Sequence, residues 1–373
     1  MLSANSLSNH QELCIGGEAE ASLLGNVATL KVALAATLLV THGLSVLHGV
    51  SGSTTHLLPA VPIFLWVSGY FMLANYKRSM KPLAFLSGRY LKLFPIMFVS
   101  FIAMFCLVVL FSGGDISREI QKDVPLFLLT HFSIFQNFVP ASFEALDGTV
   151  HNGSLWFIEA ILIIYATLPI IVWGEKRVKH VLLVLCCLSA VFNVFFPVIS
   201  QGLGGTKQVF ETAINIDSEN IHPLIKHVLD LCVQTAGVAW MFYAGCIVRR
   251  YQRYFFGHFN TNMVIFLSFA ITVLLYLLDL GNWNHYGITP PWFFTGYLIV
   301  WLLIHFAVLR KIHAPPISIG LYVLHMPVFY ALEFLNFGHL LIAAPVVLLL
   351  SFLSLTLIEK PMAAILRKRL LPS

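Results

Sequence analysis

The sequence predicts an all-α protein that crosses a membrane about ten times, and composition is the first reason. Of its 373 residues, 58% are hydrophobic and only 10% are charged, with a mean hydropathy of +0.84. A soluble domain carries roughly 25% charged residues, so this chain cannot cover a water-facing surface and lipid must be its solvent. Lipid offers the backbone no hydrogen-bond partners, and the apolar runs are therefore expected to be helices.

The second reason is the number of apolar runs near the roughly 20 residues that cross the hydrocarbon core of a bilayer. The predicted spans are 27–48, 57–76, 91–112, 154–173, 180–200, 228–248, 262–280, 291–309, 317–334 and 340–358. A further run, VPLFLLTHFSIFQNFV at 124–139, is shorter than a comfortable span. We predict that it forms a re-entrant or interfacial helix and does not cross.

Basic residues predict the orientation, because Lys and Arg in short loops stay in the cytoplasm. The loop at 74–92 contains several basic residues and no acidic one. The other basic clusters lie at 176–179, 249–253, 310–311 and 367–369. All of them face one side only if 124–139 does not cross. Both termini are then cytoplasmic, and the long polar segments 113–153 and 201–227 lie on the opposite side, called here the far side.

The domain organisation follows from the absence of any segment large enough for a separate soluble domain. We predict a cytoplasmic tail at 1–25, one membrane domain at 26–361 and a basic cytoplasmic tail at 362–373. The six cysteines show no CxxC spacing, which indicates neither a zinc site nor a disulfide framework. No metal, permanently bound cofactor or nucleic-acid partner is expected.

The first span contains two ionisable residues, Lys31 and His42, in an otherwise apolar run. Eleven positions are about three helical turns, so both side chains project from one face, about 16 Å apart along the axis. Lys31 then lies at the cytoplasmic boundary and His42 near the middle of the bilayer. A lysine that extends to the interface and a histidine that binds a neighbouring helix are the alternative interpretations. An ionisable residue in mid-span is nonetheless a functional-site hypothesis.

Further motifs occur in a fixed order along the chain. They are FLWVSG at 64–69, SGRYLKLFP at 87–95, GSLWFIEAILIIYATLP at 153–169, IGLYVLHMPVFY at 319–330 and SFLSLTLIEKP at 351–361. With the Lys31–His42 pair, this set resembles the acyltransferase 3 family of integral membrane acyltransferases, which modify bacterial surface carbohydrates. The resemblance extends from about residue 25 to 361. It implies a location in the bacterial inner membrane.

The resemblance implies an O-acyltransferase, most simply an O-acetyltransferase, that moves an acyl group from cytoplasmic acyl-CoA to a hydroxyl of a surface or exported polysaccharide. His42 matches the family's histidine and is assigned as the general base, because imidazole titrates near neutral pH. Lys31, Arg89 and Lys92 are assigned to the phosphates of acyl-CoA. Lysine stands at 31 and 92 where the family more often has arginine, so a bidentate grip on phosphate is lost there.

Four further residues are candidates for the site. Glu159 is expected either to orient His42 or to act on the acceptor, and the family pattern around it is only loosely matched by Ser154-Leu155-Trp156. Trp156 is a candidate to stack on a sugar ring. Tyr322 and His325 share a helix face and are candidates for the acceptor cavity. Pro327 cannot donate a backbone hydrogen bond, so it frees the carbonyl of Val323 and kinks this helix.

Two functions from other classes remain open at this point. Ten spans with polar groups in the membrane also suit a transporter or flippase for a lipid-linked sugar or small anion. The sequence nevertheless lacks the matched pair of interrupted helices that many transporters show. A non-catalytic membrane scaffold, in which His42 is structural, is the third possibility. Neither rival predicts acyl transfer from acyl-CoA by the purified protein.

Overall fold

The structure is a computed structural model of the chain, and every regular element that it describes is helical. The described residues are 17–50, 60–114, 116–144, 152–202, 223–252 and 314–370, with a few single positions between 263 and 302. The predicted spans at 262–280 and 291–309 fall outside the described residues, apart from those single positions.

The described residues contain eleven α-helices and one π-helical turn. They are α1 (Gly17–His48), α2 (Ala60–Ser79), α3 (Pro82–Phe111), α4 (Arg118–His131), α5 (Ala141–Glu144), α6 (Leu155–Gly174), α7 (Val181–Gly202), α8 (Pro223–Arg250), α9 (Ser318–Phe334), α10 (Leu340–Leu353), the π-helical turn Ser354–Glu359 and α11 (Lys360–Leu370).

Five of these helical segments are long and apolar enough to cross a membrane. They are Asn26–His48, Pro82–Phe111, Leu155–Gly174, Pro223–Arg250 and Leu340–Leu366. The apolar helices Val181–Asn193 and Ser318–Phe334 are shorter. The structure therefore supports an all-α membrane protein, while the number of ten spans remains a prediction.

The last long helical segment shows that a broad apolar surface faces outward. Large hydrophobic side chains along it are exposed, among them Leu341, Leu348, Leu349, Phe352 and Leu357. A helix that is apolar on its outer face as well as its inner face is stable in lipid and not in water. The π-helical turn interrupts this segment, and there Ser354 Oγ donates a hydrogen bond to Glu359 Oε1 at 2.7 Å.

The helix predicted at 124–139 is shifted in the structure, where α4 occupies Arg118–His131 and turns follow. The physical reason is the cap. Ser117 Oγ accepts a hydrogen bond from the backbone N–H of Ile120 at 3.3 Å, which starts the helix in a polar stretch that hydropathy ignores. At 14 residues, α4 is too short to cross a bilayer.

The chain runs along α3 through α4 and then turns back. At the C-terminal end of α4, His131 Nε2 donates to the carbonyl of Met97 at 3.1 Å, and the hydroxyl of Tyr90 donates to the carbonyl of Phe132. On the return path Ser142 Oγ donates to Asp123 Oδ2 at 2.6 Å, so α5 lies back beside α4. Whether this segment is re-entrant in the membrane remains a prediction, and we call residues 118–144 the re-entrant hairpin for that expectation.

Two glycines let α2 and α8 approach closely. A Cβ at Gly69 would overlap the carbonyl of Phe242 in α8, and a Cβ at Gly245 would overlap the carbonyl of Trp66 in α2. Small residues that bring backbones together are typical of helix contacts in membranes. Gly69 belongs to the FLWVSG motif, which therefore has a packing role in addition to any chemical one.

Candidate active site

His42 of α1 lies against His325 of α9. The two helices pack together, and His42 Nδ1 is 2.7 Å from His325 Nε2, with the ring centroids 4.9 Å apart. His325 is completely buried, and His42 is half-buried. The structure thus joins two candidates from opposite ends of the chain in one hydrogen-bonded pair. His325 contacts the proposed base itself, in addition to sharing a helix face with Tyr322.

The hydrogen bonds of His325 determine which nitrogen of His42 can accept a proton. His325 Nδ1 is 3.1 Å from the carbonyl of Leu321, and a carbonyl only accepts, so Nδ1 carries the hydrogen. In the neutral ring Nε2 of His325 is then the acceptor, and Nδ1 of His42 donates to it. The lone pair of His42 is therefore on Nε2. This is the tautomer that a general base requires.

The turn of α9 beside His325 is bonded to Asn152, which sequence analysis did not identify. Pro327 removes the donor for the carbonyl of Val323, and Asn152 Nδ2 donates to that carbonyl at 3.0 Å. The same group contacts Ser100 Oγ at 3.3 Å, and Asn152 Oδ1 accepts from the backbone N–H of Ser154 at 3.2 Å. One buried amide therefore connects α3, the residues before α6, and α9. The signal available in the sequence was the freed carbonyl, which needs a donor.

The three basic candidates form one group between α1 and the N-terminal part of α3. Lys31 lies within electrostatic range of Lys92 and Arg89, and Arg89 acts on Lys92 in the same way. Lys31 and Arg89 are half-buried, and Lys92 is exposed. Three cations this close repel one another, an arrangement that a bound polyanion stabilises. We call this group the basic mouth.

The FLWVSG motif in α2 is connected to the basic mouth through a series of side-chain contacts. Ser68 Oγ is 2.7 Å from the hydroxyl of Tyr165 in α6. The ring of Tyr165 lies edge-on to Phe85, with 6.2 Å between centroids. The guanidinium carbon of Arg89 in turn lies 5.4 Å from the centroid of the Phe85 ring. This series of contacts fixes the position of Arg89 relative to α2 and α6.

Glu159 is bonded to the re-entrant hairpin and to α8. Its Oε1 accepts a hydrogen bond from the backbone N–H of Asn137 at 2.6 Å and lies 3.2 Å from His227 Nε2. The side chain is 1% exposed. His227, which sequence analysis did not identify, lies near the start of α8, at the end of the long polar segment 201–227. Orientation of His42 is provided by His325 rather than by these contacts of Glu159.

Aromatic rings connect Glu159's helix to the histidine pair. Phe157 lies edge-on to Tyr322, with 5.5 Å between centroids, and Tyr322 lies 6.0 Å from His325. Tyr322 is buried, and Trp156 is half-buried at the first turn of α6. Trp156 lies edge-on to Phe157 at 6.2 Å between centroids, so the candidates Trp156, Tyr322 and His325 belong to one series of ring contacts.

Comparison with known proteins identifies the family of this chain. A family model described as an acyltransferase domain matches residues 32–359, a range that contains both histidines and begins one residue after Lys31. The chain belongs to the acyltransferase 3 family. Membership in the acyltransferase 3 family confirms the resemblance inferred from the motifs.

One relative that matches this chain is Nodulation protein 10 from Rhizobium leguminosarum bv. viciae. It is 26% identical to this chain over 174 residues, which cover 42% of this chain and 47% of the relative. The match therefore spans about half the length of that relative. No solved structure matches the chain significantly.

Proposed function

We propose that this protein is a membrane O-acyltransferase that moves an acyl group, in the simplest case acetyl, from acyl-CoA to a saccharide hydroxyl. The observation that carries the proposal is the pair of His42 and His325, in which the hydrogen-bond order leaves the lone pair of His42 on Nε2. Family membership supports the reaction class. In this proposal His325 is a positioning residue.

The proposed reaction is a direct transfer. His42 Nε2 accepts the proton of the acceptor hydroxyl while the hydroxyl oxygen attacks the thioester carbonyl. The tetrahedral intermediate collapses by breaking the carbon–sulfur bond, and the imidazolium returns its proton to the leaving thiolate. The products are an ester and free CoA, and His42 is regenerated in its original tautomer.

The basic mouth is proposed to hold the donor. Lys31 and His42 lie on one continuous helix, so eleven residues separate them by about 16 Å along the axis. The phosphates of acyl-CoA bind at the mouth, and the flexible thiol arm of CoA extends along the face of α1 toward His42. This places the donor on the cytoplasmic side of the bacterial inner membrane, with both termini on the same side.

A transfer assay tests the proposal. The purified protein is supplied with radiolabelled acetyl-CoA and with surface polysaccharide from the producing cells, stripped of its esters by mild base. The proposal expects label in the polysaccharide and equimolar release of CoA. Neither a flippase nor a scaffold makes that bond, so a well-folded protein that transfers no acyl group from acetyl-CoA or longer acyl-CoAs contradicts the proposal.

A further inference from the structure

The two carboxylate oxygens of Glu159 have different surroundings. Oε1 accepts from the backbone of Asn137 and from His227, whereas Oε2 is buried and has no hydrogen-bond partner among the described residues. Buried polar atoms in proteins are nearly always paired, and an unpaired one costs free energy. A ligand that donates a hydrogen bond to Oε2 removes that cost. Glu159 is therefore arranged to bind a donor that the described residues do not supply.

His227 adds a second acceptor to this pair. A carboxylate oxygen accepts, so the hydrogen of the neutral ring is on Nε2, and Nδ1 of His227 is left with its lone pair. The rings of Phe135 and Phe138, from the re-entrant hairpin, lie edge-on to His227 at centroid distances of 6.4 Å and 5.7 Å. They fix the plane of the imidazole. At 17% exposure His227 remains accessible, unlike Glu159.

An aromatic side chain lies one helical turn before Glu159. Trp156 precedes Glu159 by three residues on α6, and residues at this spacing are neighbours on a helix surface. A saccharide presents hydroxyl groups, which donate to carboxylate and imidazole, and a C–H face, which packs on an aromatic ring. The combination of Trp156, Glu159 and His227 fits that chemistry, and a site of this kind needs only a few well-placed polar groups.

We propose that Trp156, Glu159 and His227 form the subsite for the acceptor saccharide. The subsite binds hydroxyl groups other than the one that is acylated. Its residues lie at the starts of α6 and α8, which follow the long segments predicted on the far side. Through Phe157 and Tyr322 it adjoins the histidine pair. The inference rests on the proposed function, and it assigns the acceptor to the end of the site opposite the basic mouth.

The test measures the KM for each substrate separately in the same transfer assay, with acetyl-CoA and ester-stripped surface polysaccharide as probes. Glu159→Gln is the sharpest variant, since its amide oxygen can keep both contacts of Oε1 while an NH2 group replaces Oε2. His227→Phe keeps the edge-on ring packing and removes the imidazole. Glu175→Gln, at the other end of α6, is the matched control, because Glu175 pairs with Arg250.

The expected result is a KM for polysaccharide raised roughly tenfold or more in Glu159→Gln, which loses a charge-assisted hydrogen bond, and raised by a smaller factor in His227→Phe, which loses a neutral one. The KM for acetyl-CoA stays near the wild-type value in both variants, and Glu159→Gln, which keeps the contacts of Oε1, also keeps its thermal midpoint. Glu175→Gln matches the wild type for both substrates. An unchanged KM for polysaccharide in either variant, or an equal rise for both substrates, overturns the subsite. A wild-type protein that transfers nothing overturns the proposed function instead, so the two failures are distinct.

Discussion

The side-chain amide of Asn152 donates a hydrogen bond at 3.0 Å to the carbonyl of Val323, the carbonyl that Pro327 leaves without its helical donor. His325 lies between Val323 and Pro327 on the same turn of α9. This hydrogen bond therefore helps to set where His325 meets His42. Asn152, which is 2% exposed, makes it from the residues that precede α6.

We expect Asn152→Ala to lower both stability and the rate of transfer. Loss of the donor leaves a buried carbonyl unpaired, which costs about 1–3 kcal/mol of folding free energy, and the turn that contains His325 is then free to shift. The thermal midpoint should fall, and kcat should fall severalfold while the KM for acyl-CoA is unchanged.

Asn193→Ala is the matched control for Asn152→Ala. Asn193 is also buried and also donates to a helix carbonyl, that of Gly237 at 2.6 Å, but in the contact between α7 and α8. It should lose stability to a similar extent and keep its kcat. Equal kcat values in the two variants would contradict the positioning role of Asn152.

The basic mouth predicts that Arg89→Ala raises the KM for acyl-CoA by about tenfold or more, the effect of losing a charge-assisted contact to phosphate. Lys92→Ala should have a smaller effect, because a point charge is easier to replace than a planar guanidinium. Arg177→Ala is the control, since Arg177 also lies over an aromatic ring, with 4.0 Å to the Trp173 centroid, but lies in the turn after α6. Donor KM values that do not separate Arg89 from Arg177 would exclude the mouth.

Topology is tested with reporter fusions. Fusions after Met80, Val178 and Tyr251 should report the cytoplasm, and fusions at 145, 215 and 285 the far side. The re-entrant hairpin further requires that fusions within 113–117 and 145–151 report the same side. Opposite sides would mean that residues 118–144 cross the membrane, and the span count would have to change.

The close approach of α2 and α8 predicts that Gly69→Ala is destabilising by about 1–3 kcal/mol, because the added methyl group must displace backbone rather than a flexible side chain. Gly88→Ala is the control. The added Cβ meets no atom within 4 Å among the described residues, and alanine favours a helix over glycine by up to about 1 kcal/mol. Thermal unfolding in detergent should therefore separate the two variants, and equal midpoints would contradict this packing.

Much of the fold was predictable because lipid imposes one rule on every span. The helices around 27–48, 154–173 and 340–358 follow from apolar length alone. Hydropathy does not locate the end of a helix that begins in a polar stretch, as α4 does at Arg118. There the cap at Ser117, a short-range hydrogen-bond signal, starts the helix before the apolar run begins.

The site was predictable only in part, for a different reason. Single residues such as His42 and Arg89 are visible as polar groups in apolar sequence, and the family motifs mark them. The hydrogen bond between His42 and His325 depends on how α1 packs against α9, which no local pattern encodes. Asn152 and His227 lie in polar surroundings in the sequence, so nothing set them apart before their buried partners were known.

His42→Gln distinguishes a His42 whose Nε2 accepts a proton during transfer from a His42 that only holds two helices together. A glutamine amide can still donate to His325 Nε2 and hold α1 against α9, but neither of its atoms accepts a proton near neutral pH. Under a purely structural role this variant keeps most of its activity. Under the catalytic role it does not.

The decisive measurement is therefore kcat for acyl transfer by purified His42→Gln, alongside its thermal midpoint and its KM for acyl-CoA. General-base catalysis contributes typically about 10²–10⁴-fold, so kcat should fall by that order while the midpoint and the donor KM stay near the wild-type values. A His42→Gln protein that transfers acyl groups at a rate close to the wild type would contradict the account and leave His42 as a structural contact between two helices.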